Sequence, residues 1–273
     1  IIEEDKILFI TSELNNIENF PIVEAKNWKW EWARKSREEY LQHLKDGAEK
    51  IPAYSHVSRC PGIIDICKEG YIVQTNREII LEPGEEGFAY IVSDSPRFQE
   101  GAHGVFKGVN YEAIQKKEIH TISNLPLQVT ELISKPDWCY PWLFKYIPGW
   151  QVITPPDIKL LVIPIPYPDD WTVVHSFGVL DPSISTQVNC QAWIKKAKDG
   201  EQIHIKPGTP LMQIIPLTNR KLNFDQRYAH DTDQLWEHKL RHVQAGTFLQ
   251  AISARKLAAK MYKLFWHEGK KIP

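Results

Sequence analysis

The stretch WTVVHSFGVLDPSISTQVNCQAWIKKAKDGEQIHIKPGTPLMQIIPL, residues 171–217, decides the fold class, because it reads as short strands separated by turns. Val173 and Val174 lead into Phe177-Gly178-Val179-Leu180, a β-prone run that Asp181-Pro182 stops. Residues 187–194 form a second β-prone run, followed by a charged turn over 195–200. Glu201-Gln202-Ile203-His204-Ile205 alternates polar and apolar with a period of two, the pattern of a half-buried strand. Pro207-Gly208 predicts a tight turn, and residues 211–217 are apolar enough for a buried strand.

The same punctuation extends on both sides. Pro164, Pro166 and Pro168 recur at a period of two and predict an edge strand or an extended surface arm, since proline cannot donate to a ladder. Residues 151–154 and 159–165 are strand candidates around Pro155-Pro156. Trp138, Tyr140, Trp142, Phe144 and Tyr146 occupy every second position, which places them on one sheet face or in a tightly packed loop. Residues 71–73, 78–81 and 88–92 read as a meander of short strands, and 93–110 as a long exposed loop. Residues 6–11 predict an opening strand. Trp28, Trp30 and Trp32 alternate as a strand would, whereas 32–44 favour a helix closed by Gly47. Beyond Leu217 the composition changes. Residues 219–225 are a linker or extended strand, 233–243 can be helical, and 248–267 carry Leu249, Ile252, Leu257, Met261, Leu264 and Phe265 at a helical period. Three regions follow: an N-terminal strand and helix extension over 1–50, a β-rich core over 51–218, and a helical segment over 219–273 packed on the core.

With 273 residues the chain can bury a sizeable core, as one large or two small domains. Its formal net charge of -1 supplies no global field for nucleic acid or an anionic membrane surface, so neither is expected as a partner. No run approaches the length of a membrane-spanning helix. The first residues, IIEEDKILFI, have neither a basic leader nor a small-residue cleavage site, and the start at Ile predicts a missing or processed beginning. Cys60, Cys67, Cys139 and Cys190 show no zinc spacing and are expected to be free, mostly buried thiols in a reducing compartment. Ten Trp residues predict large amphipathic surfaces, for packing or for an extensive interface.

The motifs that carry chemistry are sparse. His238 and His242 would share one helical face, and with His230 and Asp233 they are the candidate metal ligands. The zinc-protease pattern is absent, and the acids after His230 fall one and three places on, off the spacing of iron oxygenases. No cysteine sits in a nucleophile motif, and neither a P-loop nor a dinucleotide fingerprint is present. The aromatics over 138–150 have only Lys135 and Lys145 nearby, too few cations for a single-strand binding platform. No cofactor is expected.

Two resemblances add to this reading. Phe177-Gly178-Val179-Leu180-Asp181-Pro182, followed by His204-Ile205-Lys206-Pro207-Gly208-Thr209-Pro210-Leu211-Met212-Gln213-Ile214-Ile215-Pro216, resembles the latter half of the dUTPase and dCTP deaminase superfamily, trimeric β-barrels of the β-clip kind. The resemblance implies that Asp181 meets a sugar hydroxyl or water and that Asp181 and Gln213 are substrate-binding candidates, with Asp181 also the catalytic candidate. Where the family carries a Ser-rich phosphate motif, this chain has Pro166-Tyr167-Pro168-Asp169-Asp170, whose acids repel a triphosphate. Arg59-Cys60-Pro61-Gly62-Ile63-Ile64-Asp65 through Gly70-Tyr71-Ile72-Val73, together with the piece ending at Asp181, resembles uncharacterised proteins of tailed bacteriophages and bacteria.

The expected fold is therefore mainly antiparallel β, a jelly-roll or β-clip-like barrel, with C-terminal helices. The expected function is a non-catalytic structural or interaction protein, phage-related, working as a homo-oligomer or with a structural protein partner, in a bacterial cytoplasm or on a virion. The competing class is an enzyme, either a divergent dUTPase-like nucleotide hydrolase or a metal-dependent oxygenase on a cupin-like barrel. For Asp181 the alternative to a pocket acid is a carboxylate that caps its own turn.

Overall fold

The computed structural model describes residues 5–46, 60–83, 88–92, 119–121, 136–198 and 201–230, together with 256–257, 259–260 and 262–264. Four sheets make up the architecture. In the first, β1 (Lys6–Thr11) lies between β15 (Asn223–Tyr228), to which it runs parallel, and β8 (Trp150–Ile153), to which it runs antiparallel. A central strand is covered on both faces, which is why KILFIT carries apolar residues without alternation and buries Ile7, Leu8, Phe9 and Ile10 alike.

The largest sheet has the order β11 (Gly178–Leu180), β9 (Leu160–Ile163), β14 (Pro210–Pro216), β3 (Tyr71–Gln74), β2 (Val23–Glu24). A four-stranded sheet runs β10 (Val173–His175), β12 (Cys190–Lys195), β7 (Cys139–Tyr146), β6 (Ile119–Thr121). The fourth runs β13 (Ile203–Ile205), β4 (Ile79–Pro83), β5 (Phe88–Val92). Within it Ile203 and Ile205 are buried and His204 is exposed, as the period of two requires.

The sheets are open, and this corrects the expected jelly-roll or β-clip barrel. Closure needs the last strand of a sheet to pair with its first. Here the five-stranded sheet ends at β11 on one side and β2 on the other, and the remaining three sheets likewise end in edge strands among the described residues. Short proline-punctuated strands are common to barrels and open sheets, so the pattern that predicts strands leaves closure undetermined.

Inner faces of the sheets meet in one core that includes Phe9, Tyr71, Phe144, Tyr146, Trp150, Leu160, Val162, Ile194, Met212 and Ile214. Each such side chain, fully buried, is worth about 1.5–3 kcal/mol. Phe9 lies at its centre, with ring centroids 5.4 Å from Tyr71, 6.1 Å from Phe224 and 6.4 Å from Trp150. Gly70, at φ 70°, lets β3 approach β14 so closely that a Cβ there would stand 2.0 Å from the Ile214 carbonyl oxygen.

Helices are few. α1 (Leu14–Glu18) and α2 (Glu31–Lys45) lie in the N-terminal region, and α3 (Pro61–Ile66) precedes β3. α2 runs one residue beyond each end of the predicted 32–44 helix. Trp28, Trp30 and Trp32 are not a strand. Trp28 follows a 3-10 turn (Ala25–Asn27), Trp30 caps α2, and Trp32 is inside α2 with its ring centroid 5.0 Å from that of Tyr167. Trp28 and Trp30 cover Ala25, Ile72 and Ile165 on the outer face of the five-stranded sheet. Toward the C-terminus the described positions between 256 and 264 are helical, and Tyr262 is fully buried against the core. The predicted helix over 233–243 lies outside the described residues. All four cysteines are free thiols. Among the described residues no helix is long and apolar enough to cross a membrane.

Candidate functional site

The most exposed large apolar residue among those described stands at the β11 edge. Val179 pairs with Leu161 of β9, and Leu161 pairs with Ile215 of β14, so the three form one row across the outer face. Phe177 lies two positions before Val179, beside that row, and Leu217 lies just past β14, where the chain bends and its N–H donates to the Lys159 carbonyl. Phe177 is 74%, Val179 57% and Leu217 51% exposed. The opposite face, with Leu160, Val162 and Ile214, is core. Trp28, Trp30 and α3 cover the outer face around Ile72, Ile165 and Gln213, and Ile163 of β9 is buried beside them. β11 is the terminal strand of the sheet among the described residues, so an edge of backbone N–H and C=O groups accompanies the apolar row.

Asp181 stands directly after β11 and serves its own turn. Its Oδ1 accepts the Ser183 N–H at 3.0 Å and the Ser183 Oγ–H at 2.6 Å, and its carbonyl accepts the N–H groups of Ile184 and Ser185, both at 2.9 Å. Oδ2 lies 3.4 Å from Lys159 Nζ, an exposed cation. This is the geometry of an Asx cap, with Pro182 presetting the turn.

Gln213 is fully buried on the outer face of β14, beneath α3. Its Nε2 donates to the carbonyls of Ile66 at 2.6 Å and Glu69 at 2.5 Å, at and just past the C-terminal end of α3. Gln213 Oε1 is buried without a hydrogen-bond partner. Asp181 and Gln213 thus each hold a local piece of backbone. His230 is exposed just after β15, whereas Asp233, His238 and His242 lie outside the described residues. Among the described residues no three His, Cys, Asp or Glu side chains converge as a metal site would require.

Two polar features have no counterpart in the sequence reading. Arg77 and Asn76, in the turn between β3 and β4, meet Glu13 from the end of β1. Glu13 Oε2 accepts from Arg77 Nη2 at 2.6 Å and from Asn76 Nδ2 at 2.7 Å. The Tyr146 hydroxyl donates to Asn76 Oδ1, and Asn16 donates to Thr11 Oγ1 at 3.0 Å and to the Pro148 carbonyl at 2.8 Å. The network ties three turns into one end of the core, and Gly149 makes room for it. At φ 76°, Gly149 has its missing Cβ position 2.6 Å from Glu13 Oε1. A polar residue in a turn is ordinary in sequence, and only the fold shows that these turns coincide.

The second feature is His175, buried at the end of β10. Its Nε2 accepts the Gln191 N–H at 3.1 Å, and its Nδ1 meets the Ser176 carbonyl. Accepting at Nε2 and donating from Nδ1 define the neutral Nδ1–H tautomer. Burial holds the ring below the usual histidine range, and the carbonyls of Ser176 and Asn189 oppose that shift. The residue lies within the stretch that decides the fold class, but its role there was not legible from the alternation.

Comparison of the chain with protein-family models, with characterised proteins and with solved structures finds no match in any of the three.

Proposed function

We propose that this chain is a non-catalytic interaction protein and that its docking element is the β11 edge, which pairs with β11 of a second copy. The observation that carries the reading is a strand that ends its sheet among the described residues, with Phe177 and Val179 more than half exposed on it and Leu217, likewise exposed, two strands away on the same sheet. A strand edge recognises another strand through backbone hydrogen bonds, and alternate side chains add selectivity. Antiparallel pairing about a two-fold axis at Val179 is self-complementary and would join two five-stranded sheets into one.

The exposed parts of Phe177, Val179 and Leu217 offer about 300 Å² of apolar area per copy, against about 800 Å² per partner in a standard stable interface. The dimer is accordingly weak and concentration-dependent. Asp181, Ser183 and His175 are spent on turns and backbone groups, which supports a binding rather than a catalytic reading.

Sedimentation velocity over a wide concentration range tests this. The wild type is expected to shift from monomer to dimer, and Val179→Lys, which places a charge on the edge, is expected to remain monomeric with unchanged circular dichroism. A wild type that stays monomeric at about millimolar concentration, or a Val179→Lys protein that dimerises equally well, overturns the proposal.

A further inference from the structure

We propose that the junction between β10 and β11 is an acid-sensitive clasp: at neutral pH His175 and Ser176 together hold both backbone groups of Gln191, and protonation of His175 at Nε2 releases one of them and loosens the β11 edge. The regulatory consequence rests on the assembly reading above, whereas the clasp itself does not.

The geometry is specific. Past the last ladder pair of β10 and β12, His175 with Ala192, the chain leaves the four-stranded sheet and enters β11 of the five-stranded sheet within three residues. At that crossing the Gln191 carbonyl accepts the Ser176 N–H at 2.7 Å and the Ser176 Oγ–H at 2.9 Å. The Gln191 N–H donates to His175 Nε2, so a side chain takes the place of a strand partner. An imidazole can fill that place only while Nε2 keeps its lone pair.

A proton taken from solvent onto that lone pair sets N–H against N–H. The new Nε2–H then has one acceptor at hand, the Asn189 carbonyl, 3.4 Å away. The ring therefore has two partners selected by its charge: the Gln191 N–H when neutral, the Asn189 carbonyl when protonated. Moving from one to the other displaces residues 175–176, which directly precede Phe177 and β11.

Among the described residues no charged side chain meets the ring. β10 packs against β12 and β14. β14, PLMQIIP, has no ionisable side chain. On β12, Cys190 is a fully buried thiol that burial keeps protonated, and Lys195 is exposed on the opposite face from the buried Ala192 that pairs with His175. The groups that meet the ring are backbone groups of Ser176, Asn189 and Gln191.

The test uses the full-length 15N-labelled chain, following the imidazole nitrogens and amide exchange from about pH 7.5 to about pH 5, with sedimentation at the same points. The expected result is an Nδ1–H tautomer at the upper end. As the ring then titrates, Gln191 amide protection falls at least about tenfold, and dimerisation weakens in step. His175→Gln, whose amide oxygen can accept the same N–H and does not titrate, is expected to keep both across the range. An Nε2–H tautomer at neutral pH, a ring still neutral at about pH 5, or unchanged Gln191 protection through the ring's titration overturns the clasp. So does an equal acid response in His175→Gln; if that variant does not fold, the wild-type spectra alone decide. A wild type that is monomeric throughout, while Gln191 protection follows the ring, supports the clasp and refutes the assembly reading. A dimer indifferent to the ring's titration overturns the regulatory proposal and leaves the assembly reading standing.

Discussion

Gln213→Glu separates a structural amide from a binding residue. The Gln213 amide group donates to two carbonyls, those of Ile66 and Glu69, in a fully buried position. Glutamate has nearly the same shape but turns the donor into an acceptor facing two acceptors. Burial of this kind raises a carboxyl by about three units at the strong end, and each unit is worth about 1.4 kcal/mol, so the ionised form costs about 4 kcal/mol at neutral pH. The sign follows from a folded value raised above the unfolded one of about 4.3. Below the unfolded value the ionisation penalty is absent. It grows as pH rises through the window between the two values and is constant above the folded one. Relative to wild type, Gln213→Glu should therefore lose about 5 kcal/mol near pH 7 and only about 1 kcal/mol near pH 4, the part that remains reflecting a lost hydrogen bond. Gln213→Met serves as the control. It removes both donated bonds, at about 0.5–1.5 kcal/mol each, and also removes the buried Oε1 that has no partner, so its net cost is about 1 kcal/mol. Urea unfolding of the three proteins at several pH values measures all of this. A Gln213→Glu protein within about 1 kcal/mol of wild type at neutral pH would refute the buried-amide reasoning.

Other substitutions probe separate parts of the fold. Gly70→Ala sets a Cβ 2.0 Å from the Ile214 carbonyl oxygen at a positive φ, so it should cost more than about 3 kcal/mol in urea unfolding or prevent folding, and a neutral effect would refute the close approach of β3 and β14. Asp181→Ala removes the acceptor of the Ser183 N–H and Oγ–H and should cost about 0.5–2 kcal/mol, with little of it due to the exposed Lys159. A nucleotide panel should leave the melting temperature of the wild type unchanged; a nucleotide-induced rise lost in Asp181→Ala and Asp181→Asn would assign the acid to a pocket instead. Tyr262→Phe deletes the hydroxyl that donates to the Thr154 carbonyl at 2.8 Å and accepts the Thr154 N–H at 3.0 Å. It should lower stability by about 1–3 kcal/mol, and an unchanged unfolding midpoint would show that the C-terminal segment is not anchored there.

What could be read from the sequence was local. The alternation over 201–205 fixed which face of β13 is buried, Pro207-Gly208 fixed a turn, and the charged composition of 32–44 located α2 to within a residue at each end. In each case the signal and its cause lie within a few residues: strand pleat, turn dihedral or helix propensity. The departures have an equally physical origin. A period of two reports that a face is buried, but carries no information about the partner strand. The parallel pairing of β1 with β15 and, among the described residues, the open ends of the four sheets were therefore settled only by long-range packing. Trp28, Trp30 and Trp32 alternate, yet the capping of α2 at Trp30 and the apolar surface around Ile72 outweighed that local pattern.

The same division applies to the candidate site. Asp181 before Pro182 offered a cap as one of two readings, because an Asx turn closes within two residues, and Phe177-Gly178-Val179-Leu180 announced a strand. That this strand ends its sheet among the described residues, that Gln213 holds the end of α3, and that Glu13 meets Arg77 all depend on segments brought together from distant parts of the chain. The sequence alone determined that these side chains would be apolar, amide or charged. The tertiary structure alone decided which would be left in water and which would have to find a partner inside, because exposure belongs to the packed whole.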